Sequence, residues 1–363
     1  MAREDANTGR NQGHMTEEEQ GRALIECYED IIASGCAGSC LFSWQDEWFK
    51  RTWNTLYAID RDKSAYWSDY QTNEQFFGVL TFDPGKEKSI CYVDGDVSEW
   101  GEENPVASYG DADLSMMYDE KFVYFMVHKE NFDWENDTIY IPIDTNSKVG
   151  STYCEDRGVS FDRAADFLMV IHGQEDSRPL VQERYEVLMS TYHKEFYAMN
   201  PYYEENTPKL RSPVSKPINM ALNAVLLLPQ LPEEENIPTG VSYETGLLRY
   251  GNSNPDSADF DSLADFIFSG DYAEIRIPWQ LLNFSNPSEM MIHDDYYECY
   301  GIENMQIDGM YVGVADSGNT EYRIPMEFLP LKGWGKNVTY HERFKQSYYM
   351  LKDYWTSLDE SGR

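Results

Sequence analysis

The chain has 363 residues, 41% hydrophobic and 15% aromatic with 27 Tyr, enough for two or three domains, an ample core and a leaning toward strands. Lys and Arg number 29 against 64 Asp and Glu, a net charge of −35, so the surface repels phosphate backbones and argues against nucleic acid as a partner. No run reaches the ~18 apolar residues of a membrane span, and no CxxC occurs among the six Cys. Cys27, Cys36, Cys40 and Cys91 sit in apolar runs and read as reduced small hydrophobes. Met1–Asp5 has no apolar signal region, and the sequence assigns no compartment.

In chain order, residues 1–15 are polar. Thr16 and Glu19 form a capping-box pattern, Gly35 is a natural stop, and Ala23, Leu24, Cys27, Tyr28, Ile31 and Ile32 share one face, which predicts a helix over 17–34. The small apolar run Ala37–Ser43 predicts a strand, and the loop after it carries Trp44, Asp46, Glu47 and Trp48. A helix, a buried strand and a loop rich in Trp and carboxylate match how an α/β barrel delivers site groups at its strand ends. Residues 49–60 read as the start of another helix, and 61–91 as a bridge with a turn at Asp83-Pro84-Gly85.

From residue 92 the texture becomes β-rich. Strands are predicted at Leu114–Tyr118, Phe122–His128, Thr138–Ile143, Asp166–Ile171, Tyr185–Met189, Tyr272–Ile277 and Met310–Val314. Phe122–His128 is apolar on both faces, as expected inside a sandwich. Residues 200–258 read as an irregular insertion. Thr339 and Glu342 suggest a second capping box, followed by a C-terminal helix within 336–363 carrying Phe344, Tyr348, Leu351 and Trp355.

Two resemblances follow. Residues 1–60, through Gln20-Gly21, Tyr28–Ile31, Gly38 and Trp44–Lys50, resemble the last helix–strand unit of a family-2-like (β/α)8 glycoside hydrolase. Its acid/base and nucleophile would lie on earlier strands, so no catalytic residue is carried over. Residues 92–335 resemble carbohydrate-binding modules of the family-9 or DOMON-like type. Three stretches carry this: Asp94-Gly95 to Glu99-Trp100, Tyr118-Asp119 to Tyr124, and Glu274 to Ile277-Pro278-Trp279. The implied fold class is mainly β, an antiparallel β-sandwich preceded by a partial barrel remnant.

The implied function is the C-terminal part of a carbohydrate-active protein, inactive alone, whose sandwich binds an oligo- or polysaccharide or buttresses the barrel. The alternative is a structural or interaction sandwich with no sugar site. Haem binding, from Met126 with His128 and Met169 with His172, ranks third. Trp44 and Trp48 could stack on sugar rings, and Asp46 and Glu47 could bind hydroxyls. Adjacent carboxylates on a loop point apart and do not make a retaining pair about 5 Å apart. No cofactor is called for. Ca²⁺ is the one metal that Asp94 with Asp96, or Asp144 with Asn146, could take, against a plain turn in which Trp100 packs into the core.

Overall fold

A computed structural model describes residues 15–47, 76–101, 105–187, 207–222, 241–299 and 303–361. Helix α1 forms over Glu17–Ala33. The Thr16 hydroxyl accepts from Glu19 N–H at 3.1 Å and the Glu19 carboxylate accepts from Thr16 N–H at 2.8 Å, so two orphan donors of the first turn are satisfied. Gly35 adopts φ +80° just past its end, where a side chain would be strained.

The strands then run β1 (Leu80–Pro84), β2 (Ala107–Tyr109), β3 (Ala112–Tyr118), β4 (Phe122–Lys129), β5 (Ile139–Asp144), β6 (Ser151–Cys154), β7 (Val159–Ala165), β8 (Phe167–Ile171) and β9 (Arg178–Gln182). After them come β10 (Ser215–Pro217), β11 (Asn219–Leu222), β12 (Val241–Glu244), β13 (Phe266–Ser269), β14 (Tyr272–Pro278), β15 (Phe284–Asn286), β16 (Met291–His293) and β17 (Asn304–Gln306). The last are β18 (Gly309–Val312), β19 (Ala315–Asp316), β20 (Glu327–Pro330) and β21 (Tyr340–Phe344), before helix α2 (Gln346–Ser361).

One sheet has the order β13-β14-β4-β3-β2, and a larger one β10-β9-β8-β5-β18-β20, with β19 also on β5. Their ladders are antiparallel. No sheet among the described residues closes into a barrel. The two sheets share one core. Val123, Phe125, Val127, Ile275 and Ile277 come from the first, and Ile139, Ile141, Ile143, Met169 and Val312 from the second. Each such side chain taken out of water contributes about 1.5–3 kcal/mol.

The outer faces are covered as well. Phe122 and Tyr124 pack with Cys91, Val93 and Trp100, while Tyr140, Leu168 and Val170 lie with Cys154, Val159 and Phe161 of the β6–β7 hairpin. Double coverage explains why β4 is apolar on both faces.

Several expectations are corrected. Residues 37–43 form no strand; the chain meets β1 just after them, where Trp44 and Asp46 bond Leu80 and Gln45 bridges it. No sheet neighbour flanks residues 37–43, so the ladder a barrel strand needs is absent. Cys27, Cys36 and Cys40 are exposed, and only Cys91 and Cys154 are buried. The strand expected from Tyr185 lies earlier, at Arg178–Gln182, and Tyr185 sits in a 3-10 turn. Part of the 200–258 insertion is ordered, since β10 pairs β9 and β11 pairs β12. Thr339 and Glu342 cap no helix. Thr339 donates to Glu120 from its N–H at 2.8 Å and its hydroxyl at 2.7 Å, and 340–344 pairs with β1. The expected helix at 49–60 and Trp48 lie outside the described residues.

Candidate functional site

The stretches that carry the carbohydrate-module resemblance meet in space. Glu274 of β14 is fully buried, and its Oε2 accepts from Gly95 N–H at 2.7 Å and Asp94 N–H at 3.3 Å. Its Oε1 accepts from the Trp100 indole at 2.7 Å. Burial, opposed by these donors, pushes its pKa up to about 7. Asp119 does similar work after β3. It accepts from Lys121 N–H at 2.8 Å, Phe122 N–H at 2.9 Å and the Tyr124 hydroxyl at 2.7 Å. Its carbonyl accepts from the Trp279 indole at 2.8 Å. These residues hold the layers together, and Trp100 packs with Cys91, Val93, Phe122 and Tyr124 on the outer face of β4.

The two ends of the described chain form one unit on this body. Arg343 donates to both oxygens of buried Glu17, at 3.0 and 2.8 Å, and to Asp83 at 2.6 Å. Glu17 also accepts from Gln346 N–H at 3.0 Å, so a carboxylate from α1 caps the start of α2. A Cβ on Gly21 would lie 2.5 Å from Met350 Sδ and 3.1 Å from Ser347 Cα; only glycine lets the helices approach this closely. Of the stripe Leu24–Ile32, Tyr28 meets Tyr354 and Trp355 of the C-terminal helix edge-on at 5.9 and 6.0 Å, while Ile32 stays 45% exposed.

Trp44 is held beside that helix. Its carbonyl accepts from Val79 and Leu80 N–H at 3.1 and 3.0 Å. The next residue but one, Asp46, is buried and takes a 2.7 Å bond from Lys345 Nζ and a 3.1 Å bond from Gly78 N–H. The Trp44 indole stands edge-on to Phe344 and Tyr348, at 5.7 and 6.1 Å, and those two rings stack at 4.0 Å. The result is a groove of about 480 Å³ lined by Leu41, Trp44, Val79, Tyr348, Leu351 and Trp355, with Lys352 and Thr356 adding polar groups. Tyr348, Leu351, Lys352, Trp355 and Thr356 share one helical face. Trp44 is 57% exposed and Trp355 39% exposed.

Of the expected sugar-binding residues that the structure describes, only Trp44 lines this groove. Asp46 faces inward to Lys345, so its carboxylate is committed to the fold instead of to a hydroxyl. Glu47 is half-buried and outside the groove lining. Sequence reasoning missed Trp355 as a partner of Trp44, although the helical spacing of Tyr348, Leu351 and Trp355 carried the signal.

The Ca²⁺ candidates fall in two places. Asp94 accepts from Asp96 N–H at 2.9 Å and Asn254 Nδ2 at 2.7 Å, and Asp96 accepts from Ser98 N–H at 3.0 Å. They form a turn in which both Asp94 oxygens and one Asp96 oxygen accept bonds from the protein itself. Asp144 is buried and ion-paired to Arg163; the Asn146 side chain accepts from Lys148 N–H at 3.1 Å and donates to the His293 carbonyl at 3.3 Å. Among the described residues no group of three His, Cys, Asp or Glu converges as a metal site. For the haem candidates, Met169 is in the core and His128 lies 4.6 Å from the Tyr272 ring.

The loop at Asp144 is organised by Asp166, which no sequence pattern singled out. Buried Asp166 accepts from Thr145 N–H at 2.7 Å, Asn146 N–H at 2.6 Å and the Thr145 hydroxyl at 3.1 Å. It sits across from Asp144, one step beyond the Ile143–Phe167 pair. Burial and the like charge of Asp144 push the Asp166 pKa well above the usual carboxylate range. A raised folded pKa stabilises fully below the unfolded value of about 4 and is lost as pH rises through the folded value. Asp166→Asn keeps an acceptor for the donors and removes the like charge. Relative to wild type it should therefore gain stability between about pH 5 and about pH 8. Urea midpoints at both pH values check this, and an unchanged difference would contradict it.

No family model, curated protein or solved structure matches the chain.

Proposed function

We propose that this chain binds glycan, and that the aromatic groove between residues 41–44 and α2 is the binding surface. The observation that carries the reading is the pair of exposed indoles, Trp44 and Trp355, lining one groove together with Tyr348. Pyranose rings present apolar C–H faces that stack on such rings, and their hydroxyls suit polar groups at the rim such as Lys352 and Thr356. Trp44 is held by backbone bonds and ring contacts before any ligand arrives, so little ordering entropy is lost on binding. The two-sheet body is read as a sandwich of the carbohydrate-binding kind, consistent with the way Glu274 and Asp119 join its three characteristic stretches.

Affinity electrophoresis through gels containing neutral polysaccharides tests this. Wild type should be retarded by at least one polymer. Trp44→Ala should weaken that retardation by about tenfold or more, about 1.4 kcal/mol. Retardation by none of a broad panel, or equal retardation of wild type and a Trp44→Ala/Trp355→Ala double variant, would overturn it. A protein-contact surface is the second reading, favoured by Phe42, 55% exposed in the same loop. Concentration-dependent sedimentation abolished by Phe42→Ser would support that instead.

A further inference from the structure

We infer that a cleft between β1, β21 and β14 binds a small oxyanion, either a carboxylate borne by an acidic sugar or free phosphate, with Arg276 as its principal contact. The cleft is lined by Lys121, Arg276 and Arg343 together with the carboxylates of Glu17 and Asp83. Both carboxylates are committed. Glu17 is held by Arg343 and by Gln346 N–H, and Asp83 by Arg343 with Lys121 3.7 Å away. Among the described residues lining the cleft the cations therefore exceed the acids by one, inside a chain whose net charge is −35.

Arg276 is the cation in excess. Its Nε donates to the Ala264 carbonyl at 2.9 Å, and its guanidinium lies 4.6 Å from the Phe122 ring centre. Among the described residues no carboxylate is paired with it. A guanidinium held by one bond and by stacking keeps its terminal N–H groups in the fork that suits a planar carboxylate or a phosphate. Burial, opposed by Asp83 and Asp46 and reinforced by Arg276 and Arg343, lowers the Lys121 pKa. Ser89 and Tyr92 add hydroxyls to the wall. The enclosed space is about 60 Å³, room for one anionic group and too little for a pyranose ring, so a sugar ring would stay outside with only its charged group inserted.

The test is titration of the full ¹⁵N-labelled chain at constant ionic strength with sodium phosphate, sodium glucuronate, sodium chloride and glucose. The readout is the Arg276 side-chain Nε–Hε resonance, assigned by its loss in R276Q and, independently, in R276K. Phosphate or glucuronate should shift it saturably, while chloride and glucose should not. A response to phosphate alone assigns free phosphate as the ligand, and a response to glucuronate alone assigns the sugar carboxylate. The variant R276Q should weaken anion binding by about tenfold or more, read from the remaining cleft resonances. No saturable shift with either anion, an equal shift with chloride, or undiminished binding by R276Q would overturn the inference. The readout is confined to this cleft and the glycan reading is tested with neutral polysaccharides at Trp44 and Trp355, so failure here is distinguishable from failure of the glycan reading.

Discussion

Glu274→Ala should destabilise the protein by about 3–5 kcal/mol, because it orphans the Gly95 N–H and the Trp100 indole at about 1–3 kcal/mol each and leaves a void beneath β14. Both donors lie 2.7 Å from the carboxylate. Glu274→Gln should fall between alanine and wild type. One amide oxygen can still accept from Trp100, but the amide nitrogen then faces the Gly95 N–H, donor against donor. Equilibrium urea unfolding followed by Trp fluorescence measures the series. An alanine variant within about 1 kcal/mol of wild type would mean that the Asp94–Trp100 cap is not held through Glu274.

Lys345→Met should cost a similar amount for a different reason. Lys345 is 1% exposed and its partner Asp46 is 3% exposed. Burial raises the Asp46 pKa and Lys345 opposes that shift. Removing the ammonium strands a buried carboxylate, which costs about 3–5 kcal/mol. Asp46→Asn in the Lys345→Met background removes the stranded charge and should recover much of the loss. A double variant as unstable as the sum of the single changes would show that the two side chains do not act as a pair. The same variants bear on the groove, since Asp46 and Lys345 fix the loop of Trp44 against the base of α2.

How much of this was legible in the sequence depended on how local each cause is. Helix α1 was readable because its cap, Thr16 with Glu19, lies within a single turn. Strands β4, β5 and β8 were readable because both of their faces are largely buried, which leaves long apolar runs, while β3 and β18 bury mainly one face and were readable by alternation. Strand β9 was obscured by Pro179, a residue that ordinarily argues against a strand. The end of the chain was misread for a non-local reason. Thr339 and Glu342 have the spacing of a capping box, yet Glu120 takes the Thr339 donors and the cap of α2 comes from Glu17. A pattern read within four residues cannot detect a partner contributed from hundreds of positions away.

The site was half legible. Trp44 stood out as an indole in a polar loop, and it lines the groove. Asp46 stood out equally and is buried, because Lys345 lies 299 positions along the chain and no local signal pairs them. Asp166 read as an ordinary strand acid and Glu274 only as part of a module-like stretch, and their roles depend on backbone N–H groups that only the fold brings to them. Arg276 is conspicuous only through the absence of a paired carboxylate among the described residues, which no sequence displays.

The most direct measurement of the central claim is the indole Nε1–H spectrum of the ¹⁵N-Trp-labelled chain during titration with a neutral oligosaccharide drawn from a retarding polymer. The Trp44 and Trp355 resonances should shift together with one saturation curve, while buried Trp100 and Trp279 stay in place. Shifts confined to other indoles, or an unchanged spectrum at saturating sugar, would contradict a glycan-binding groove at α2.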